Sequence, residues 1–230
     1  MTLLSFPDSR NLIETAVSRL EREIAGLLKS KSEVRILLTG GTLGIQFVEA
    51  LRNCELPWSR IWLMFSDERF VPLNSPDRNE HQALNVWPEL ERLRLQRFPD
   101  EKPGLLAAAS QLESQLEGEL GPIGTNDAIF DITVLGMGPD AHVASLFPGH
   151  QAKGDWVVAE DNSPKPPSER LSLSYAALNR SNQVWFIAAG ASKAWAVAQS
   201  LNEDSGVPAS KVRGMDQTLW FVDQELTDAL

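Results

Sequence analysis

The chain has 230 residues, 43% of them hydrophobic, with 31 acidic against 21 basic side chains and a formal net charge of −10. That length supports one generous core, so residues 1–230 read as a single domain, and the negative balance sets nucleic acid and anionic membrane surfaces aside as partners. One cysteine, Cys54, permits no internal disulfide or paired-cysteine zinc site, and the three histidines, His81, His142 and His150, lack metal-ligand spacing. No metal and no cofactor is expected. With no basic-then-apolar leader and no run of membrane-spanning length, the expectation is a cytoplasmic protein, as a monomer or a small homo-oligomer.

From Ser9 to Leu28 the residues Leu12, Ile13, Ala16, Val17, Leu20, Ile24, Leu27 and Leu28 recur at helical spacing, with Asp8 or Ser9 placed to cap. Val34 to Leu38 is a short apolar run that breaks at Thr39-Gly40-Gly41-Thr42, after which Ile45, Phe47, Val48 and Leu51 resume a helical pattern. The same order repeats downstream. Arg60 to Phe65 runs into a polar loop from Ser66 to Asn79, Pro103 to Leu120 is helical, and Gly121 to Asn126 is a turn. Ile129 to Leu135 breaks into Gly136-Met137-Gly138-Pro139-Asp140, followed by a short predicted helix with His142 in its first turn. Prolines exclude helix from 161–167. Arg170 to Tyr175 alternates as a half-exposed strand, and Val184 to Ala189 ends at Gly190 before a helix from Ser192 to Leu201. Leu219 to Val222 is the last strand. Alternating apolar runs and helices predict an α/β fold, a single three-layer domain with a mostly parallel sheet and helices on both faces. Ligands of such sheets gather beyond the carboxyl ends of the strands, where the polar segments of this chain fall.

Three segments at those ends carry residues suited to chemistry. Thr39-Gly40-Gly41-Thr42 lies between a strand and a helix, where free N–H groups and the helix dipole receive phosphate; an unliganded tight turn has the same pattern. Ser66-Asp67-Glu68-Arg69 presents two carboxylates and a guanidinium, as an anion clamp or as an ion pair that ties the loop down. The predicted helix start at His142 disfavours imidazolium and leaves the ring neutral as a base, with Asp140 orienting it or tying the loop. A lone histidine of this kind also occurs as a purely structural residue.

The run Leu135 to Gly149, LGMGPDAHVASLFPG, closely resembles the signature of 6-phosphogluconolactonases, with Ala141 where that signature has glycine. SDERFVP from Ser66, with Asn79 downstream, resembles their second signature, and Thr39 to Thr42 their first phosphate loop. Pro166-Pro167-Ser168-Glu169-Arg170 matches their Pro-Pro-x-x-Arg segment, and Gly190-Ala191-Ser192-Lys193 their Gly-x-x-Lys helix start. The five segments stand in the family's order across nearly the whole chain. The related glucosamine-6-phosphate deaminases have Asp-Glu-Tyr in place of Asp67-Glu68-Arg69 and Phe-Asn-Glu-Pro in place of Ser145 to Pro148, so on both points this chain resembles a lactonase. Two further departures are Leu43-Gly44, where Thr-Pro is common, and Arg78 before Asn79, where a small residue is usual. If position 141 requires a positive φ, alanine there costs about 1 kcal/mol.

The resemblance implies a modified Rossmann-like domain that hydrolyses 6-phospho-D-glucono-1,5-lactone to 6-phospho-D-gluconate in the oxidative pentose phosphate route. His142 would be the base and Asp140 its partner. Gly40, Gly41, Thr42, Arg170 and Lys193 would hold the phosphate, Arg69 would meet phosphate or sugar, and Asp67 and Asn79 would organise the loop or meet a hydroxyl. Ser145 is set aside as a nucleophile because the G-x-S-x-G elbow is absent. Cys54, His81 and His150 read as ordinary packing or surface residues. The rival readings are a glucosamine-6-phosphate isomerase or deaminase and a non-catalytic sugar-phosphate sensor.

Overall fold

The computed structural model describes residues 1–124 and 127–230, apart from the side chain of Glu203. The predicted turn from Gly121 to Asn126 therefore lies partly outside the described residues.

The first predicted helix forms as α1, Ser9–Leu27, with Leu12, Ile13, Ala16, Val17, Leu20 and Ile24 buried on one stripe. The Asp8 carboxylate caps it, accepting from the Asn11 N–H at 2.8 Å. Each fully buried leucine or isoleucine of that stripe contributes roughly 1.5–3 kcal/mol relative to exposure. Ahead of α1 runs an edge strand that the sequence pattern did not reveal, β1, Thr2–Phe6. Behind it come β2, Val34–Leu38, then α2, Gly41–Leu51, and β3, Ile61–Phe65, buried at every position as a strand covered on both faces must be.

The remaining elements are the short strand β4, Asp67–Arg69, helix α3, Asn79–Val86, strand β5, Arg94–Gln96, and helix α4, Leu105–Leu120. Strand β6, Phe130–Leu135, precedes β7, Val157–Glu160, and β8, Arg170–Leu173. Helix α5, Tyr175–Leu178, and strand β9, Ser181–Ala188, follow, then α6, Ala194–Leu201, β10, Gln217–Asp223, and α7, Gln224–Asp228.

Seven strands form one parallel sheet in the order β1-β10-β9-β6-β2-β3-β5. From β2 the chain winds outward through β3 to β5, then returns to the other side of β2 and winds away through β6, β9 and β10. Helices α1, α2 and α3 pack side by side, and with the right-handed crossovers that parallel strands favour, the strand order puts them on one face of the sheet and α4 and α6 on the other. The winding changes direction between β2 and β6. The connections that leave their carboxyl ends run in opposite directions there, and the crevice at such a point is the expected ligand position of an open α/β sheet.

Three sequence expectations need correction. The segment from Ser66 to Asn79 is not wholly loop, because Asp67–Arg69 pairs antiparallel with β8 in a second sheet ordered β4-β8-β7. As the centre of that sheet, packed against α4, β8 is buried at all four positions and not half-exposed. Nor does a helix start at His142: residues 139–149 form consecutive turns with one isolated bridge, Val143 to Leu146.

Candidate functional site

The loops after β2 and β6 meet across the crevice, where the Gly136 N–H donates to Thr39 Oγ1 at 3.1 Å. Around them opens a cleft of about 700 Å³ whose wall includes Gly40, Gly41, Thr42, Asp67, Arg69, Asn79, His142, Arg170 and Lys193. Asp140 stands behind the wall, its Oδ1 2.5 Å from His142 Nδ1. Residues scattered over more than 150 positions are thus gathered in one place.

Helix α2 supplies the first wall. Its N-cap, Gly40, has no side chain to cap with, so the first-turn N–H groups at Gly41 and Thr42 stay available at the positive end of the helix. The chain turns tightly here: a Cβ on Gly44 would lie 2.2 Å from the Thr39 carbonyl oxygen. Only glycine fits.

Strand pairing supplies the second wall. In the small sheet Asp67 is opposite Ser172, and Arg69 is directly opposite Arg170. Two guanidiniums side by side repel unless an anion lies between them. Asp67 is buried and accepts from Ser145 Oγ at 2.7 Å, so Ser145 is occupied as a support for that carboxylate. Arg170 donates from Nε to the Pro167 carbonyl at 2.8 Å and from Nη2 to that of Lys165 at 3.0 Å, which pins the proline-rich loop over the cleft. Burial pushes the Arg170 guanidinium down from its ordinary value, Asp67 opposes this, and Arg69 adds to it.

The departure at Arg78 has a structural reason. Arg78 is fully buried between Glu68 and Glu80, with Nε 3.8 Å from Glu68 and Nη2 3.2 Å from Glu80. Glu68 in turn accepts from the backbone N–H groups of Asn79 at 2.7 Å and Glu80 at 2.9 Å, capping α3 from another strand. Burial, with the Glu80 charge next, raises the Glu68 carboxyl to about 7. The assembly fixes Asn79, whose Nδ2 donates to the Asp67 carbonyl at 2.9 Å.

The third wall carries His142. The loop doubles back on itself, with the Gly138 N–H donating to the His142 carbonyl and the Ala141 N–H to that of Gly138, both at 3.0 Å. Ala141 has φ 64° and Ala144 φ 49°, so position 141 does take a positive φ, with a second two residues beyond the histidine. Left-handed backbone costs about 1–2 kcal/mol at each alanine, held by the surrounding contacts. Phe147 packs on the imidazole with ring centroids 4.8 Å apart. The side chain of His142 is only 18% exposed.

Burial, not a helix dipole, is the main influence that depresses the His142 pKa below its ordinary value; Asp140 and Asp67 pull the other way, and Lys165 adds to the depression. Burial also acts to raise Asp140, but the His142 charge and hydrogen bond, with backbone N–H groups, outweigh it and hold that carboxyl below its ordinary range. Nδ1 lies against a carboxylate and therefore takes the proton as donor, which leaves the Nε2 lone pair for the cleft. Lys193 donates to the Met137 carbonyl at 2.7 Å, and burial and the Lys165 charge lower its ammonium.

With that geometry, family can be assigned. Residues 7–220 match the sequence family of glucosamine-6-phosphate isomerases and 6-phosphogluconolactonase. The chain belongs to this family. It is 36% identical to a 6-phosphogluconolactonase of Mycobacterium leprae over 96% of this chain and 94% of that one. The solved 6-phosphogluconolactonase of Thermotoga maritima superposes with a TM-score of 0.84 at 30% identity, over 97% of this chain and 99% of that one. A Trypanosoma brucei 6-phosphogluconolactonase shares the fold, with a TM-score of 0.85 at 24% identity over 100% and 98% of the two chains.

Lys165, Ser163, Gly138 and Phe147 also line the cleft and were not singled out by sequence reasoning. Lys165 had a legible signal, as a basic residue in a proline loop of a strongly acidic chain. Phe147 had none, because its contact with His142 depends on the turns. Among the described residues no three His, Cys, Asp or Glu side chains cluster as a metal site, and no helix is long and apolar enough to cross a membrane.

Proposed function

We propose that this chain hydrolyses 6-phospho-D-glucono-1,5-lactone to 6-phospho-D-gluconate, with His142 as general base. The observation that carries the reading is the Asp140–His142 pair at the sheet's switch point, facing a cleft whose other walls offer a free helix N-terminus and paired arginines. A lactone is an activated ester, so its opening needs a positioned water, a base and help for the carbonyl oxygen.

Neutral His142 takes a proton from water through Nε2 as the water oxygen bonds to C1. Asp140 stabilises the imidazolium that forms. The tetrahedral intermediate then collapses, the bond from C1 to the ring oxygen breaks, and His142 returns the proton to that oxygen, restoring the base. The Gly41 and Thr42 N–H groups, Arg170 and Lys193 hold the phosphate, with Gly40 leaving α2 uncapped for it. Arg69 and Asn79 serve the sugar side; Arg69 Nε and Asn79 Oδ1 are both buried without a protein partner. Asp67, fixed by Ser145, meets a hydroxyl.

A coupled assay on freshly made lactone, with glucosamine-6-phosphate run in parallel, tests the reading. Wild type turns over the lactone and not the amino sugar, and His142→Ala loses about 10²–10⁴-fold in kcat. Retention of most of the catalysed rate by His142→Ala refutes the base assignment, while turnover of the amino sugar refutes the lactonase reading. Ligand binding with lactone hydrolysis at the spontaneous rate would make the chain a sensor.

A further inference from the structure

Four cations line the cleft, and three of them already spend donors on the protein. Arg69 donates to the Asp77 carbonyl, Arg170 donates twice to the proline loop, and Lys193 donates to Met137. The fourth is Lys165. Its ammonium has no hydrogen-bond or ion-pair partner among the described residues, although 31 acidic side chains are present in the sequence. Its backbone, by contrast, is anchored: the carbonyl accepts from Ser163 Oγ and from Arg170 Nη2, each at 3.0 Å, and Ser163 is itself buried. A long, exposed, uncommitted lysine on a pinned backbone stands at the cleft.

We propose that Lys165 is a substrate-binding residue that clamps the phosphate from the proline loop, in the cleft it shares with Lys193. This rests on the sugar-phosphate reading of the cleft. Like charges gathered in one cleft, with an ammonium among them that no carboxylate pairs, favour an anion there, and a phosphate dianion accepts more hydrogen bonds than the helix end, one arginine and one partly committed lysine supply. The Lys165 charge reaches Lys193, whose ammonium burial depresses first and Lys165 next. The same charge also reaches His142, so the clamp helps keep the base neutral until an anion arrives.

The test is binding of 6-phosphogluconate and of inorganic phosphate by titration calorimetry, in wild type, Lys165→Met and Lys165→Arg. Lys165→Met is expected to weaken both ligands about tenfold, and Lys165→Arg to bind within about twofold of wild type. Because Lys165 is exposed, all three proteins melt alike. Inorganic phosphate binding unchanged in Lys165→Met overturns the clamp, and so does equal weakening by Met and Arg. Calorimetry needs no turnover, so a chain that binds phosphate through Lys165 but leaves the lactone unopened refutes the lactonase reading alone. As a second readout, the acid limb of kcat/KM moves to higher pH in Lys165→Met, because a positive charge near His142 is gone; a limb that stays in place or moves down counts against the clamp.

Discussion

The loops after β2 and β6 flank the same crevice and are both rich in glycine, yet they are built on different principles. The first runs into α2, so helix geometry sets where its N–H donors point and no side chain needs to be placed. The second presents one side chain and has no regular element to do it with. Gly138 leaves room for the ring, two alanines take left-handed backbone, Phe147 covers the imidazole and Asp140 fixes its tautomer. On the proposed reading, anion binding by backbone is inherited from secondary structure, whereas the base has to be assembled contact by contact. Substitutions in the first loop should therefore act on stability and phosphate affinity, and in the second on kcat.

The largest effect that would break this contrast is at Gly138. A Cβ there would lie 2.1 Å from His142 Nδ1 and 2.4 Å from Asp140 Oδ1, so Gly138→Ala must displace the pair. A displacement of about 1 Å costs on the order of 100-fold, read as kcat with a modest change in KM. Next is Gly44→Ala, whose Cβ would meet the Thr39 carbonyl oxygen at 2.2 Å. Overpacking against backbone costs roughly 1–3 kcal/mol, measured by denaturant unfolding. If Gly44→Ala lowered kcat more than Gly138→Ala, the division of labour between the loops would be wrong.

The smallest effect sharpens the contrast from the other side. Ala141→Gly relieves left-handed strain at φ 64° while adding freedom to the unfolded chain, for a net gain of about 0.5–1 kcal/mol in unfolding free energy. Glycine in place of alanine ordinarily destabilises, so a loss of stability would show that the loop is not strained at that position.

The same difference explains what could be read from the amino acids alone. Val34 to Leu38 followed by a glycine turn and a helical pattern is local information, and β2 and α2 lie where that pattern put them. The Leu135 to Gly149 segment misled, because Val143, Leu146 and Phe147 recur at helical spacing. That spacing arises there from two successive turns bracketed by Gly138-Pro139 and Pro148-Gly149. Asp67–Arg69 was invisible as a strand: three polar residues have no periodicity, and only the partner β8, a hundred residues on, makes them one. The consequence was functional, since that register sets Arg69 opposite Arg170. Lys165 had its signal in composition, but that the other three cations of the cleft are already bonded to the protein shows only in the contacts.

The most direct measurement is the pH dependence of kcat/KM on fresh lactone for wild type and Asp140→Asn. A base whose pKa is depressed by burial stays neutral below the ordinary imidazole value, so the acid limb of the wild type should have its midpoint below about 6.5. Asp140 pulls the His142 pKa upward, so Asp140→Asn should move that limb lower still while kcat falls. An acid limb above about 6.5, or one that Asp140→Asn leaves in place, would contradict a buried neutral His142 held by Asp140.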